Sequence, residues 1–101
     1  MKFFLISDNI DTAVGLRLAG IEGVVVHTPE EVCDAMEQAI SDPEVGLILM
    51  TSKLVGLCRA QVYEKKLNLS RPLIVEIPDR HGGNTGDAML QYLREAVGVK
   101  L

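Results

Sequence analysis

Leu47-Ile48-Leu49-Met50 is an uninterrupted apolar run that stops abruptly at Thr51. A strand with one face in water alternates apolar and polar residues, whereas a strand covered on both faces reads as continuous apolar sequence. This segment therefore predicts a buried strand of a parallel sheet with helices on both sides. Three more apolar runs support the same interpretation, at residues 3–6, 24–26 and 73–75.

Four helical patterns separate and follow these runs. The second is the clearest, because Thr28-Pro29-Glu30-Glu31 is a capping box with proline at the first helical position. The third is predicted to begin at Ser52. The apolar stripes predicted to face the core are Ile10, Val14, Leu18 and Ile21 in the first helix, ended by Gly20; Val32, Ala35, Met36, Ala39 and Ile40 in the second; Leu54, Val55, Cys58 and Val62 in the third; and Met89, Leu93, Ala96 and Val97 in the fourth.

The alternation of strands and helices predicts one doubly wound, flavodoxin- or Rossmann-like α/β domain. We expect a four-stranded parallel sheet in the order 2-1-3-4 with helices on both faces. Pro72, Glu76 and Pro78 place the fourth strand at an edge. The single domain spans residues 1–101, with a core at 1–78, a flexible loop at 79–84, and a C-terminal helix and tail at 85–101 that we expect to move.

Composition excludes several classes of function. The net charge of −4 argues against a nucleic-acid-binding protein, and no apolar run has the roughly 20 residues of a membrane helix. No segment resembles a signal peptide, so a cytoplasmic location is expected. Cys33 and Cys58 lack metal-site spacing and are interpreted as small core residues.

Polar residues follow two strands at the edge where ligands gather in such sheets. Ser7, Asp8 and Asn9 follow the first run, and Thr51 and Ser52 follow the third. They could hold a metal or a phosphate, but each precedes a predicted helix, so helix capping is the favoured interpretation. A phosphoacceptor module of the receiver type would need an aspartate at the end of the third strand, but that run ends in Met50-Thr51.

Two other features could bind ligands, and both are weak. The segment 82–86 is glycine-rich but matches no phosphate-loop spacing, and it is interpreted as a connector. His27 and His81 are too few for a metal site. No catalytic, cofactor-binding or metal-ligating residue is therefore proposed.

Two segments together resemble a known family. The first runs from Asp8 to Ile21 and reads Asp-Asn-Ile-Asp-Thr-Ala-Val-Gly-Leu-Arg-Leu-Ala-Gly-Ile, and the second runs from Pro72 to Asp79 and reads Pro-Leu-Ile-Val-Glu-Ile-Pro-Asp. Both resemble the F subunit of V-type and archaeal-type (A-type) ATPases or ATP synthases, in which a G-x-R-L-A-G-I helix end follows strand one and E-I-P closes strand four. Chain length and element order are also similar.

The resemblance implies a non-catalytic subunit of the central rotor, or central stalk. It would bind the coiled-coil D subunit, contact the ring of catalytic A and B subunits transiently through its C-terminal helix, and help to couple ATP turnover to proton or sodium transport. The expected location is cytoplasmic, peripheral to the membrane within the soluble ATPase sector. No cofactor, nucleic acid or direct membrane insertion is expected.

The partner interface is predicted from residues outside the expected core stripes. Leu16 and Arg17 lie beside the stripe of the first helix, and Ile77 follows the fourth apolar run, so these residues and Arg80 are expected to form the surface that binds the D subunit. Tyr92 is an expected interface residue of the last helix. The alternative is a stand-alone, flavodoxin-like signalling module that responds to phosphate or nucleotide.

Overall fold

A computed structural model describes residues 2–78 of the chain, and these form one four-stranded sheet flanked by helices. All three strand pairings are parallel and the order is 2-1-3-4, which confirms the predicted architecture. The predicted loop and last helix, with Arg80 and Tyr92, lie outside the described residues. The elements are β1 (Lys2–Ser7), α1 (Ile10–Leu18), β2 (Glu22–Val25), α2 (Pro29–Ser41), β3 (Val45–Thr51), α3 (Ser52–Leu57), α4 (Arg59–Asn68) and β4 (Leu73–Ile77).

The two central strands are covered on both faces, as their continuous apolar sequence predicts. Side chains along β1 and β3 alternate between two separate core clusters. On one face, α1 packs against the cluster of Leu5, Leu16, Ile21, Leu47, Leu49 and Ile77. On the other face, α2, α3 and α4 pack against a larger cluster that includes Ile6, Val32, Met36, Ile48, Met50, Leu54 and Val62.

Helix α2 begins as the sequence predicts. The Thr28 hydroxyl accepts a hydrogen bond from the Glu31 amide at 3.2 Å, and the Glu31 carboxylate accepts one from the Thr28 amide at 3.1 Å. These reciprocal bonds satisfy amide groups that the first helical turn leaves free. The predicted inward stripe of α2 is confirmed, since Val32, Ala35, Met36 and Ala39 are buried.

The third helical pattern divides into two helices at Cys58, whose backbone lies at φ −123° and ψ 39°. Gly56 and Cys58 are weak helix formers, which favours an interruption there. The break does not change which side faces the core, because Leu54, Val55, Cys58 and Val62 are all buried as predicted.

Helix α1 has the opposite orientation to the predicted one. Leu16 is completely buried, while Ile10, Val14 and Leu18 are 66%, 53% and 86% exposed. The expectation that Leu16 faces outward is therefore wrong. The cause is that α1 carries two apolar sets on different sides, and the set nearest the sheet includes a threonine, Thr12, which is buried beside Leu16.

The expectation that Ile77 faces outward is also wrong. Ile77 is fully buried, and it belongs to the same core cluster as Leu16. Ile77 lies two residues after Val75, so both side chains are on the same face of β4, and Ile77 pairs with Thr51 of β3. Strand β4 does lie at the edge of the sheet, as its prolines and Glu76 predict.

Gly20 and Gly23 explain how the chain returns from α1 into the sheet. Gly20 has a φ of +89°, a conformation that other residues adopt only with strain, so it ends the helix as predicted. A Cβ at Gly23 would come within 2.6 Å of Leu5. β2 can therefore lie in register beside β1 only with glycine at this position.

The orientation of α1 can be tested with two matched truncations. We expect Leu16→Ala to lower the free energy of unfolding by about 2–5 kcal/mol, because it opens a cavity in a closed core. Leu18→Ala should change it by less than about 1 kcal/mol, since that side chain is mostly in water. Denaturant unfolding measures both, and the reverse ranking would support the orientation predicted from sequence.

The α2 capping box makes stability depend on pH in the acid range. Hydrogen bonds from the His27 and Thr28 amides, and then from the Thr28 hydroxyl, hold the pKa of Glu31 below its usual value of 4.5. A lowered folded-state pKa stabilises the protein above pH 4.5, and this contribution is lost as the pH falls through the folded-state pKa. We expect the wild type to melt above Glu31→Gln at pH 7, with a difference that shrinks below about pH 4.5. A constant difference in Tm from about pH 7 to about pH 3 would contradict this assignment.

Candidate functional site

The carboxyl ends of β1 and β3 meet at the edge of the sheet where α/β proteins usually bind ligands. The Thr51 hydroxyl donates a hydrogen bond to the Asp8 carboxylate at 2.7 Å, and the Asp8 amide donates to the Thr51 hydroxyl at 3.4 Å. Lys53 lies 4.0 Å from the second carboxylate oxygen of Asp8. These contacts tie the two strand ends together.

The neighbouring polar side chains at this edge form hydrogen bonds with backbone groups. The Asn9 side-chain oxygen accepts hydrogen bonds from the amides of Asp11 and Thr12, at 2.8 and 3.3 Å, and so caps α1. Ser7 donates to the carbonyl of Asn9 at 2.9 Å, and Ser52 donates to the carbonyl of Ile77 at 3.1 Å. The capping interpretation holds for Asn9. Asp8, Thr51 and Ser52 join neighbouring strand ends, whereas the Ser7 hydroxyl bonds locally to the Asn9 backbone.

Within residues 2–78, no group of three or more His, Cys, Asp or Glu side chains could hold a metal ion.

A cleft of about 330 Å³ lies at the opposite ends of the strands and is lined by Lys2, Phe3, Gly20, Ile21 and Glu22. Its two charged residues lie 3.9 Å apart and pair with each other.

The structure separates the residues that the sequence grouped into one interface. Of the described members, Leu16 and Ile77 lie in the core, and Arg17 is exposed on α1. A surface built on the two buried side chains is therefore not available. The exposed member, Arg17, lies beside a different set of apolar residues.

We name the exposed apolar residues of α1 the α1 row: Ile10, Val14 and Leu18. They are spaced by four positions, so they form a continuous ridge along the helix. At about 100° per residue, Arg17 falls on one side of this ridge and Asp11 on the other. The row is thus an apolar strip with a positive charge near its C-terminal end and a negative charge near its N-terminal end.

The ends of α1 are fixed by the hydrogen bonds around them. Asn9 caps the N-terminus. At the other end, the amides of Ala19 and Ile21 both donate to the carbonyl of Leu16, at 3.0 and 2.9 Å. With Thr12 and Leu16 buried beneath it, the helix holds the α1 row in place without using the row for its own packing.

The sequence pattern predicts that the α1 row faces the core, whereas the structure exposes it. Ile10, Val14 and Leu18 form the longest apolar stripe in the segment, and such stripes usually face inward. The side of α1 that faces the sheet carries Thr12, Ala13 and Leu16, of which only Leu16 is a large apolar residue. A stripe with one large apolar residue is a weaker signal than one with three.

No helix within residues 2–78 is long and apolar enough to cross a membrane. The described residues form a small parallel α/β domain in which hydrogen bonds join the carboxyl ends of β1 and β3 and three exposed apolar residues lie in a row on α1. The chain belongs to the ATP synthase (F/14-kDa) subunit family, whose model matches residues 4–97. This confirms the resemblance found in the sequence.

Individual relatives agree over nearly the whole chain. The A-type ATP synthase F subunit of Methanocaldococcus jannaschii is 32% identical over 103 residues, covering 100% of this chain and 99% of the relative. That of Thermococcus sibiricus is 31% identical over 107 residues, covering 100% and 98%. The F subunit of Methanothermobacter thermautotrophicus is 32% identical over 94 residues, covering 90% and 88%.

The alternative of a phosphate- or nucleotide-responsive module can be tested at the Asp8–Thr51 edge. We expect acetyl phosphate, ATP and MgCl₂, alone or together, to leave Tm unchanged within about 1 °C, because a ligand raises stability only if it binds the folded state. A concentration-dependent rise that Asp8→Asn abolishes would restore that alternative. Lys66→Gln on α4 provides a charge-changing control away from this edge.

Proposed function

We propose that this chain is the non-catalytic F subunit of the central rotor of a V-type or A-type rotary ATPase or ATP synthase. It binds the coiled-coil D subunit, and the pair turns within the ring of catalytic A and B subunits. In this role it helps to couple ATP hydrolysis or synthesis to the movement of protons or sodium ions. The C-terminal residues 85–101 are proposed to contact the ring transiently.

The observation that carries the proposal is the full-length correspondence with the F subunits of A-type ATP synthases. Relatives from separate genera align over 90–100% of the chain. The correspondence therefore covers the whole domain and not a single motif.

The contacts at the carboxyl edge of the sheet support a non-catalytic role. Asp8 is the acidic residue best placed for chemistry, and it accepts a hydrogen bond from Thr51 and lies near Lys53. Through the hydrogen bond with Thr51, Asp8 joins β1 to β3, which suits a rigid binding domain.

The proposed location follows from the proposed complex. The chain lies on the cytoplasmic side, peripheral to the membrane, as part of the soluble ATPase sector. Its net charge of −4 suits neither an anionic lipid surface nor nucleic acid, which agrees with a location away from the bilayer surface.

Mixing the purified chain with the D subunit from the same organism tests the proposal. We expect native mass spectrometry to show a one-to-one complex, and calorimetry to show a Kd of about 1 μM or tighter for a stable interface of ordinary size. The isolated chain should not hydrolyse ATP. A chain that stays unbound at micromolar concentrations of both proteins, or that turns over ATP alone, would overturn the proposal.

A further inference from the structure

Cys33 and Cys58 are neighbours in the larger core cluster, although they lie on different elements. Cys58 is 1% exposed and belongs to the cluster, and Cys33 of α2 packs against it. Helices α2 and α3 are in contact, and the two thiols interact electrostatically. Both cysteines are free, and neither has a role in the function proposed above. The fold therefore brings together two nucleophilic side chains that are distant in sequence.

An ion pair beside the thiols shows that the same faces of α2 and α4 are opposed. Lys65 Nζ lies 2.8 Å from Glu37 Oε1, and Lys65 also interacts electrostatically with Cys33. Glu37 is four residues after Cys33, and Lys65 is seven residues after Cys58, so each charged residue shares a helix face with one thiol. Both helices cover one side of a parallel sheet and so run in the same direction. The thiols and the ion pair thus follow one another along a single helix–helix boundary.

The two thiols differ in their access to solvent. Cys33 is half-buried, so a small molecule in solution can reach its sulfur, whereas Cys58 is closed off. Burial, and then the neighbouring Cys33 thiol, raise the pKa of the Cys58 thiol above its usual value of 9.0. Cys58 is therefore protonated at neutral pH and unreactive on its own, because the thiolate is the nucleophile. An oxidant meets Cys33 first.

We propose that Cys33 and Cys58 are a redox pair that a peroxide converts to a disulfide joining α2 to the α3–α4 junction. The Cys33 sulfur attacks the peroxide, the O–O bond breaks, and a sulfenic acid forms with release of water or an alcohol. The Cys58 sulfur then attacks the Cys33 sulfur, the S–O bond breaks, and the hydroxyl leaves as water with the Cys58 proton. The peroxide gains the two electrons that the thiols lose. This inference does not depend on the function proposed above.

The position of Cys58 between two helices suits closure of the bond. Its backbone, at φ −123° and ψ 39°, belongs to the regular part of neither α3 nor α4. A disulfide needs Cα atoms about 4.4–6.8 Å apart, and a residue at a helix junction can shift toward that distance with less disruption than one inside a helix. The bond closes a loop that contains β3 and α3, which restricts the unfolded chain and raises stability.

Oxidising the full chain with a few equivalents of hydrogen peroxide tests the redox pair. We expect the mass to fall by about 2 Da, for two hydrogens lost, and both sulfurs to become unreactive toward iodoacetamide. Trypsin cleaves after Lys53, so the peptides 18–53 and 54–59 should stay joined until a reductant is added. The Tm should rise by about 5 °C or more and return to its starting value with dithiothreitol.

Single-cysteine variants are the matched controls. Cys58→Ser leaves Cys33 without a second thiol, so peroxide should carry Cys33 on to the sulfinic acid without a rise in Tm. Cys33→Ser should leave Cys58 unreacted, because that sulfur is enclosed. A bond between two copies of the chain, a bond that forms only in guanidinium chloride, or a sulfinic acid at Cys33 of the wild type would each overturn the proposal. None of these measurements involves the D subunit, so the redox pair and the proposed function fail separately.

Discussion

The structure depends on covering the two central strands on both faces. β1 and β3 carry apolar side chains on each side, so neither strand could tolerate water on either face. Helices α2, α3 and α4 cover one face, and α1 packs on the other. Because α1 must offer its short apolar side to the sheet, its longer apolar side is left outside. The exposed row is thus a consequence of how the second face is covered.

The layered architecture was predictable from the sequence because strand burial and helix capping are local signals. Continuous apolar runs indicated the parallel sheet, and the Thr28–Glu31 pattern located the start of α2. Proline and Glu76 identified β4 as an edge strand. Each signal depends on residues within a few positions of one another, so no long-range contact was needed to read it.

The candidate site was predicted less well, because exposure depends on what lies opposite a residue. The rotation of α1 is decided by Thr12 and Leu16 against the sheet, and a stripe of larger residues at Ile10, Val14 and Leu18 gave the wrong side. Ile77 was misassigned because a residue just before proline looks like the end of a core run. Arg17 alone was placed on the surface correctly among the described interface residues.

The edges of the sheet carry a consequence for how this protein behaves at high local concentration. β2 has only four residues and begins with Glu22, and β4 lies between Pro72 and Pro78 with Glu76 inside it. Short strands, prolines and charges make poor templates for adding a strand from another molecule. Lateral growth into fibrils is therefore disfavoured at both margins. The described sheet thus offers no margin on which a strand of another molecule would readily pair.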